Sequence, residues 1–313
     1  MNKKVTVTGA NIVFFVFSVI FIVYQIVFAA ILGESFFTEN IYLVVLINEF
    51  VIILIPVLLY TRIKKADFRE TFRIRKLNPV HASIIMLLSI AAYPVAMMLN
   101  NIAAYFLQFI GDIPAQPIPS PRNLQELFIG LLVVAVSPAI CEELFHRGLL
   151  LSAYERRGSM KAVVITAIFF GIFHFDITNF LGPVFLGLLI GYYVIRTNSI
   201  FAGMLAHFMN NAISEVFQFF VADKSIPEKI TVSSQELGQI IVLGLAGLLL
   251  TGLLLVLFNK ATAGKAVMVP SISRIRKDVG SILSHWPVIL VLLLYFGLMA
   301  VYILSIALMK YFG

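Results

Sequence analysis

Three groups of residues with polar members lie within apolar stretches of this chain. They are Glu142 and Glu143 with Arg147, Phe170 with His174, and His207 with Asn210 and Asn211. Residues four apart share one face of a helix, so Glu143 faces the same way as Arg147, Phe170 as His174, and His207 as Asn211. A carboxylate can activate a water molecule, and an imidazole beside a carboxamide can stabilise a developing oxyanion. The spacing is therefore typical of a hydrolytic site assembled from several helices.

The depth of these residues in a lipid bilayer strengthens that interpretation. An ionisable side chain at the bilayer centre costs roughly 2.5 to 3.5 kcal/mol on insertion scales, so several together indicate a functional site. At about 1.5 Å rise per residue, Glu142, His174 and His207 each lie about 16 to 21 Å from the nearest basic loop. We therefore expect the three side chains at one depth.

The first group divides into a structural pair and a reactive residue. Glu143 and Arg147 have the favourable order for an ion pair within one helix, which predicts a supporting role. Glu142 points about 100° away from Glu143 and is expected to stay free to act as a general base, with His146 as a local alternative partner. Pro138, four residues before Glu142, is expected to bend the helix there.

The composition identifies the class of protein that must position these groups. Of the 313 residues, 60% are hydrophobic and 12% are charged, against about 25% charged in a typical soluble domain, and the mean hydropathy is +0.99. An all-α, polytopic membrane helix bundle is predicted. The single cysteine, Cys141, excludes an intramolecular disulfide and a cysteine-based structural zinc site.

Nine stretches are candidate spanning helices, although the fifth and sixth are short, so that eight is also possible. They are Asn11–Leu32, Ile41–Tyr60, Ala82–Ile110, Leu127–Ala153, Ala162–Phe175, Phe180–Ile195, Ile200–Val221, Leu237–Phe258 and Trp286–Tyr311. The chain is read as one membrane-embedded unit with N-terminal helices over 1–125, a candidate catalytic core over 126–221 and C-terminal helices over 222–313.

The basic residues predict the orientation of the bundle. With the N-terminus in the cytoplasm, 18 of the 23 Lys and Arg residues fall in cytoplasmic loops, Arg147 lies within the membrane, and four fall outside. This bias accounts for the net charge of +7 without a nucleic acid partner. An integral membrane protein is predicted, in a bacterial plasma membrane.

Two loops differ from the rest in composition. The outer segment 111–125 carries four prolines and is expected to be extended, and the inner segment 61–80 is basic with apolar residues between the charges. A topology determinant is the preferred interpretation of the inner segment, with contact to anionic lipid headgroups as the alternative.

Taken together, the three groups resemble the CAAX protease and bacteriocin-processing family of intramembrane endopeptidases, also called the Abi family. The resemblance covers about residues 127–220, with the motifs in the family's order and in separate apolar stretches. They read Glu142-Glu143-Leu-Phe-His-Arg147, Phe170-Gly-Ile-Phe-His174 and His207-Phe-Met-Asn-Asn211. Family members often have an aromatic residue before Arg147, where this chain has His146.

The resemblance implies a type II CAAX prenyl endopeptidase-like protease whose substrate is a peptide or protein, possibly lipidated. Glu142 would activate the attacking water with His174, and His207 and Asn211 would stabilise the oxyanion. Glu143 and Arg147 would support that arrangement. The substrate would reach the site between helices or from the cytoplasm.

Several alternatives stay open at this point. Glu142, His174 and His207 could instead bind a zinc ion with water in its fourth position, although a metal-independent site is slightly preferred. A proton- or ion-coupled transporter could use the same cluster together with Glu49 and Glu215. A catalytically silent membrane scaffold is the third class.

Overall fold

The computed structural model describes residues 5–33, 36, 39–114, 120–221, 229–264, 268–271 and 273–312. Two short helices, α3 and α10, lie between longer ones. In chain order the elements are α1 (Val7–Leu32), α2 (Ile41–Ile63), α3 (Phe68–Thr71), α4 (Pro79–Leu107), β1 (Ile113–Pro114), α5 (Leu124–Arg157), α6 (Ser159–Phe173), α7 (Leu181–Thr197), α8 (Ile200–Val221), β2 (Lys229–Ile230), α9 (Ser234–Ala261), α10 (Ile275–Leu283) and α11 (Trp286–Phe312).

The predicted all-α membrane helix bundle is confirmed. Six of the described helices, α1, α2, α4, α5, α9 and α11, are long and apolar enough to cross a membrane, and α6 and α7 are shorter apolar helices. Each of the nine predicted stretches coincides largely with a helix. The number of spans and the side of the N-terminus stay predictions. The two-residue strands β1 and β2 pair antiparallel, a detail that the sequence analysis did not predict.

Close helix contacts in the bundle depend on glycines where a side chain would collide with a neighbour. A Cβ atom at Gly247 of α9 would lie 2.6 Å from the Ala91 carbonyl oxygen of α4. At Gly187 of α7 it would lie 2.9 Å from the Cα atom of Ala167 in α6. Small residues at such positions let membrane helices pack backbone to backbone.

The two helices of the α6–α7 hairpin are shorter than the helices long enough to cross a membrane. Their 15 and 17 residues correspond to about 22 and 26 Å, less than the roughly 30 Å hydrocarbon core of a bilayer. The turn between the helices contains Phe175 at a φ of 48° and Asp176, whose carboxylate accepts a hydrogen bond from the Thr178 backbone N–H at 2.8 Å. The hairpin therefore brings a polar turn toward the middle of the bundle.

The basic segment between α2 and α4 docks on the protein. The Phe72 ring is fully buried against Gly148 of α5. Arg73 is buried, forms an ion pair with Glu155 and donates a hydrogen bond to Asn198 at 2.9 Å. The side chain of Arg75 stays exposed. The buried contacts of Phe72 and Arg73 thus hold the middle of this segment against the protein. They do so whether its exposed charges determine topology or contact lipid headgroups.

A second set of charges joins α10 to the same end of the bundle. Asp278 is buried and accepts hydrogen bonds from Lys161 at 2.5 Å, Ser273 at 2.6 Å and Arg157 at 2.8 Å. The hydrogen bond from Lys161, followed by that from Ser273, holds the pKa of Asp278 below its usual range. Asp278 therefore favours the folded state when it is ionised.

We expect Asp278→Asn to lower the thermal unfolding midpoint of the detergent-solubilised protein at pH 7. A lowered folded-state pKa contributes stability above the unfolded pKa of about 3.9 and loses it progressively as the pH falls toward the folded value. The difference between wild type and variant should therefore shrink below about pH 4. An equal difference at about pH 7 and about pH 3.5 would contradict the assigned role of the charge.

Candidate active site

The four predicted catalytic side chains line one cavity. It has a volume of about 550 Å³ and lies among α2, α4, α5, α6, α7 and α8, and its lining includes Glu142, His174, His207 and Asn211. Residues from three separate helices thus converge, as their common depth predicts. The roles of the individual residues depend on the contacts described below.

Glu143 and Arg147 form a fully buried ion pair behind the cavity wall. Arg147 donates to Glu143 Oε1 at 2.6 Å and to the Gly187 carbonyl at 3.3 Å, and neither charged side chain is more than 1% exposed. On the facing helix, a Cβ atom at Gly203 would lie 2.6 Å from Glu143 Oε2. This glycine therefore lets α8 approach the carboxylate.

The same carboxylate orients His207. The imidazole Nδ1–H donates to Glu143 Oε1 at 3.0 Å, which leaves Nε2 on the other edge of the ring, 4.0 Å from Glu142 Oε2. A hydrogen bond from one ring nitrogen to a carboxylate fixes the tautomer and stabilises the protonated imidazole. Arg147, Glu143 and His207 therefore form a chain of contacts that ends at the cavity.

Glu142 presents an unsatisfied carboxylate oxygen. The residue is 7% exposed, and no group in the described part of the chain makes a hydrogen bond to its Oε2 atom. A buried polar atom of this kind calls for an explanation such as a bound water or a catalytic role. The predicted separation of Glu142 from the Glu143–Arg147 pair agrees with this geometry.

His174 lies where α6 ends. Its Nδ1–H donates to the Phe170 carbonyl at 2.8 Å, so in the neutral ring Nε2 is left as an acceptor. His174 also lines a second cavity of about 490 Å³ between α1 and α11. The imidazole therefore stands at the boundary between the two cavities.

The Phe170 ring is a packing centre for the polar groups. The Arg147 guanidinium lies 4.5 Å from the ring centroid, and the imidazoles of His146, His174 and His207 pack edge-on at 4.9, 5.1 and 5.6 Å. Phe170 is buried, in agreement with the core-packing role that its place on the face of His174 predicts. Its contacts with α5 and α8 do not follow from the spacing within α6.

His146 lies in a different environment from the other two histidines. It is fully buried, donates from Nδ1 to the backbone carbonyl of Glu142 at 3.1 Å, and packs against the Phe170 and Phe173 rings. It is absent from the cavity lining. The predicted local partnership with Glu142 thus involves the backbone rather than the carboxylate.

Asn211 makes a contact that the sequence analysis did not predict. Its side-chain N–H donates to the Val134 carbonyl at 2.9 Å, and Asn210 donates to Asn211 Oδ1 at 3.1 Å. Val134 lies in a π-helical stretch of α5, Leu131–Val136, one turn before Pro138. Asn211 therefore ties α8 to an irregular part of α5, and its second N–H is available to a bound group.

We expect Asn211→Ala to reduce both stability and any oxyanion stabilisation. Loss of the bond to Val134 should cost about 1 to 3 kcal/mol of unfolding free energy, and loss of an oxyanion donor should lower kcat about 10² to 10³-fold. Thermal unfolding and initial cleavage rates measure the two effects.

Two further carboxyl groups line the cavity, and the sequence analysis considered them only for a transporter. Glu49 of α2 is 5% exposed and interacts with the Glu142 carboxyl, while Glu215 of α8 is 1% exposed and packs at Gly130 of α5. Glu49 lies in a π-helical stretch, Ile47–Leu54. Such stretches are frequent at functional sites, but a sequence pattern does not reveal them.

The zinc alternative depends on three donors meeting at one point. Glu142, His174 and His207 are suitable ligand types. In both imidazoles Nδ1 donates a hydrogen bond, so Nε2 is available to a metal ion. Nevertheless, the described residues contain no group of three His, Cys, Asp or Glu that could hold a metal ion. The residues as arranged do not fit the ion, and metal dependence stays open to experiment.

Comparison with known proteins identifies the segment that contains the site. Residues 124–213 match the family described as Type II CAAX prenyl endopeptidase Rce1-like. The chain is also 27% identical over 174 residues to the protein named "Putative membrane peptidase YdiL" of Bacillus subtilis (strain 168), a match that covers 54% of this chain and 69% of that protein. No solved structure matches the chain significantly.

The matched segment includes every one of the four cavity-lining side chains predicted to be catalytic. The predicted resemblance is thereby confirmed. The chain is an integral membrane protein related to the Rce1-like type II CAAX prenyl endopeptidases, and its general class is that of a membrane protease.

Proposed function

We propose that the protein is an intramembrane endopeptidase that hydrolyses peptide bonds of membrane-associated substrates with a water activated by Glu142. The observation that supports this most strongly is the unsatisfied Glu142 oxygen in a cavity that two oriented imidazoles also line. An enclosed carboxylate oxygen that makes no hydrogen bond is suited to accept a proton from a water molecule.

In the proposed mechanism, the water oxygen attacks the substrate carbonyl carbon while Glu142 takes the water proton. His174 helps to orient that water through Nε2, because its Nδ1–H is held by the Phe170 carbonyl. The tetrahedral oxyanion is stabilised by the second N–H of Asn211 and by His207 in its protonated form, which Glu143 supports. Glu142 then donates its proton to the leaving amine as the C–N bond breaks.

The position of Glu49 suggests that it influences Glu142. The two carboxyl groups interact in the same buried cavity. In the proposed mechanism Glu49 is a positioning residue that acts through Glu142.

A transporter remains the second candidate, since Glu49, Glu142 and Glu215 all line the cavity. An ion relay needs polar groups along the whole path across the membrane. Below His207, however, the cavity wall is closed by the Glu143–Arg147 pair, which Gly187 and Gly203 contact closely. This arrangement supports a site with one opening more than a path with two.

Cleavage of a panel of quenched fluorescent peptides tests the proposal. The peptides are prenylated or unprenylated, and the detergent-purified protein is assayed with and without a zinc chelator. We expect cleavage that a Glu142→Gln preparation lacks. Resistance to the chelator would favour the metal-independent mechanism, and failure to cut any peptide, with substrate-dependent ion flux in proteoliposomes instead, would favour the transporter.

A further inference from the structure

The catalytic cavity opens at one end of the bundle. Besides the four catalytic side chains, its lining includes Asn100 and Asn101 near the end of α4, Thr178 and Asn179 in the α6–α7 turn, and Gln218 near the end of α8. Ile230 of β2 also contributes. These positions lie where α4, α6 and α8 end and where α5 and α7 begin. No lining residue comes from the loops at the other end of the described bundle.

The two ends of the bundle differ in charge. The end opposite the cavity mouth contains the α2–α4 segment, Arg73 with Glu155, Arg196 with Thr262, and Lys161 with Asp278. At the mouth end, the described basic residues are Arg122, Lys229 and Lys310. Because Lys and Arg are concentrated in cytoplasmic loops, this difference favours an extracytoplasmic position for the mouth.

The short α6–α7 hairpin gives an independent reason for water at that end. Its turn contains polar backbone and side-chain groups, including those of Asp176, Thr178 and Asn179. Because the hairpin is short, these groups lie at a membrane depth that the spanning helices cross. Irregular backbone at membrane depth is tolerated only where protein buries it or where it lines a water-filled cavity. Thr178 and Asn179 line the cavity, so the turn forms part of a wet vestibule.

The opposite end of the site is closed. Arg147, Glu143 and His207 form its floor, and beyond them Phe72 packs on Gly148 without a gap. Ser152 then donates to the Thr71 carbonyl at 2.7 Å. A peptide therefore has no route from the basic end through this layer of contacts.

We propose that the site takes its substrate from the extracytoplasmic side, so that its substrates are peptide segments exposed on the outer face of the membrane. This inference rests on the proposed peptidase function for the nature of the substrate but not for the side of entry. It argues against the cytoplasmic route, one of the two routes expected from the sequence beside a route between helices, because the cavity lining contains no residue of the basic end.

Cysteine labelling determines the side without requiring activity. Cys141 is fully buried, so the wild-type protein serves as the blank for a membrane-impermeant sulfonated maleimide. Gln218→Cys places a thiol at the mouth, and Lys76→Cys places one in the exposed basic segment as the matched control. In intact spheroplasts we expect labelling of Gln218→Cys alone, and labelling of Lys76→Cys only after permeabilisation. Any other pattern would overturn the assigned side.

A second measurement tests the substrate class. A charged, membrane-impermeant fluorescent peptide that the solubilised protein cleaves is added to sealed right-side-out or inverted vesicles. Cleavage by right-side-out vesicles only is the expected result, and cleavage by inverted vesicles only would overturn the proposal. If the solubilised protein cleaves no peptide, the peptidase function fails, while the labelling result still decides the side of entry.

Discussion

Glu142→Gln is expected to lower kcat for peptide cleavage by at least about 10³-fold, within the range that a general base contributes. The amide keeps the size of the side chain but cannot take a proton from water. Because Glu142 Oε2 makes no hydrogen bond within the described structure, the variant should keep the wild-type unfolding midpoint and elution profile. Initial rates on a cleavable peptide, with circular dichroism melts of the same preparations, measure both quantities.

Glu215→Gln is the matched control for this variant. Glu215 is also a buried carboxyl residue in the same cavity, on the helix that carries His207, but it lies at Gly130 away from the imidazoles. We expect it to retain kcat within about tenfold, since it takes no part in proton transfer. Wild-type activity in a well-folded Glu142→Gln preparation would disprove the mechanism. Equal losses in both variants would instead suggest a relay through all carboxyls.

Arg147→Met is expected to destabilise the folded protein by about 3 to 5 kcal/mol, because it leaves the Glu143 charge buried without its main partner. Arg147 also contacts the Gly187 carbonyl and the Phe170 ring, so cleavage should fall as well. The folded yield after purification and the thermal unfolding midpoint report the loss of stability.

The double variant Glu143→Gln/Arg147→Met distinguishes structure from catalysis. Removing both charges often restores much of the stability that is lost when only one partner is removed, so the unfolding midpoint should rise above that of Arg147→Met. Cleavage should stay low, because His207 Nδ1 then faces a neutral amide that cannot stabilise the protonated ring. Recovery of activity together with stability would limit Glu143 to a structural role.

The sequence predicts those features that depend on spacing along one helix. The apolar stretches predict the bundle, and the four-residue intervals predict the Glu143–Arg147 pair, which forms as expected. Similar distances from the basic loops predict that Glu142, His174 and His207 meet, and they line one cavity. In each case the prediction depends on the residue spacing within one helix or on the length of one stretch of chain.

Features that depend on contacts between distant helices could not be predicted in this way. The hydrogen bond from Asn211 to the Val134 carbonyl depends on the packing of α8 against α5. Likewise, Glu49 lies far from the matched segment in sequence, and its approach to Glu142 follows from the packing of α2. The direction in which the cavity opens depends on the packing of all the helices that line it. It could therefore not be predicted from the sequence of any one helix.

The short α6–α7 hairpin also affects the lipid around the protein. One face of α6 is exposed through Met160, Val164 and Ile168, so acyl chains contact a helix of about 22 Å rather than one that matches the full hydrocarbon thickness. Lipids next to this face must shorten or tilt their chains, at a cost of fractions of a kcal/mol per Å of mismatch. Because His174 ends α6, we expect membrane thickness to act on the helix that positions this imidazole, and thinner bilayers to favour the arrangement described here.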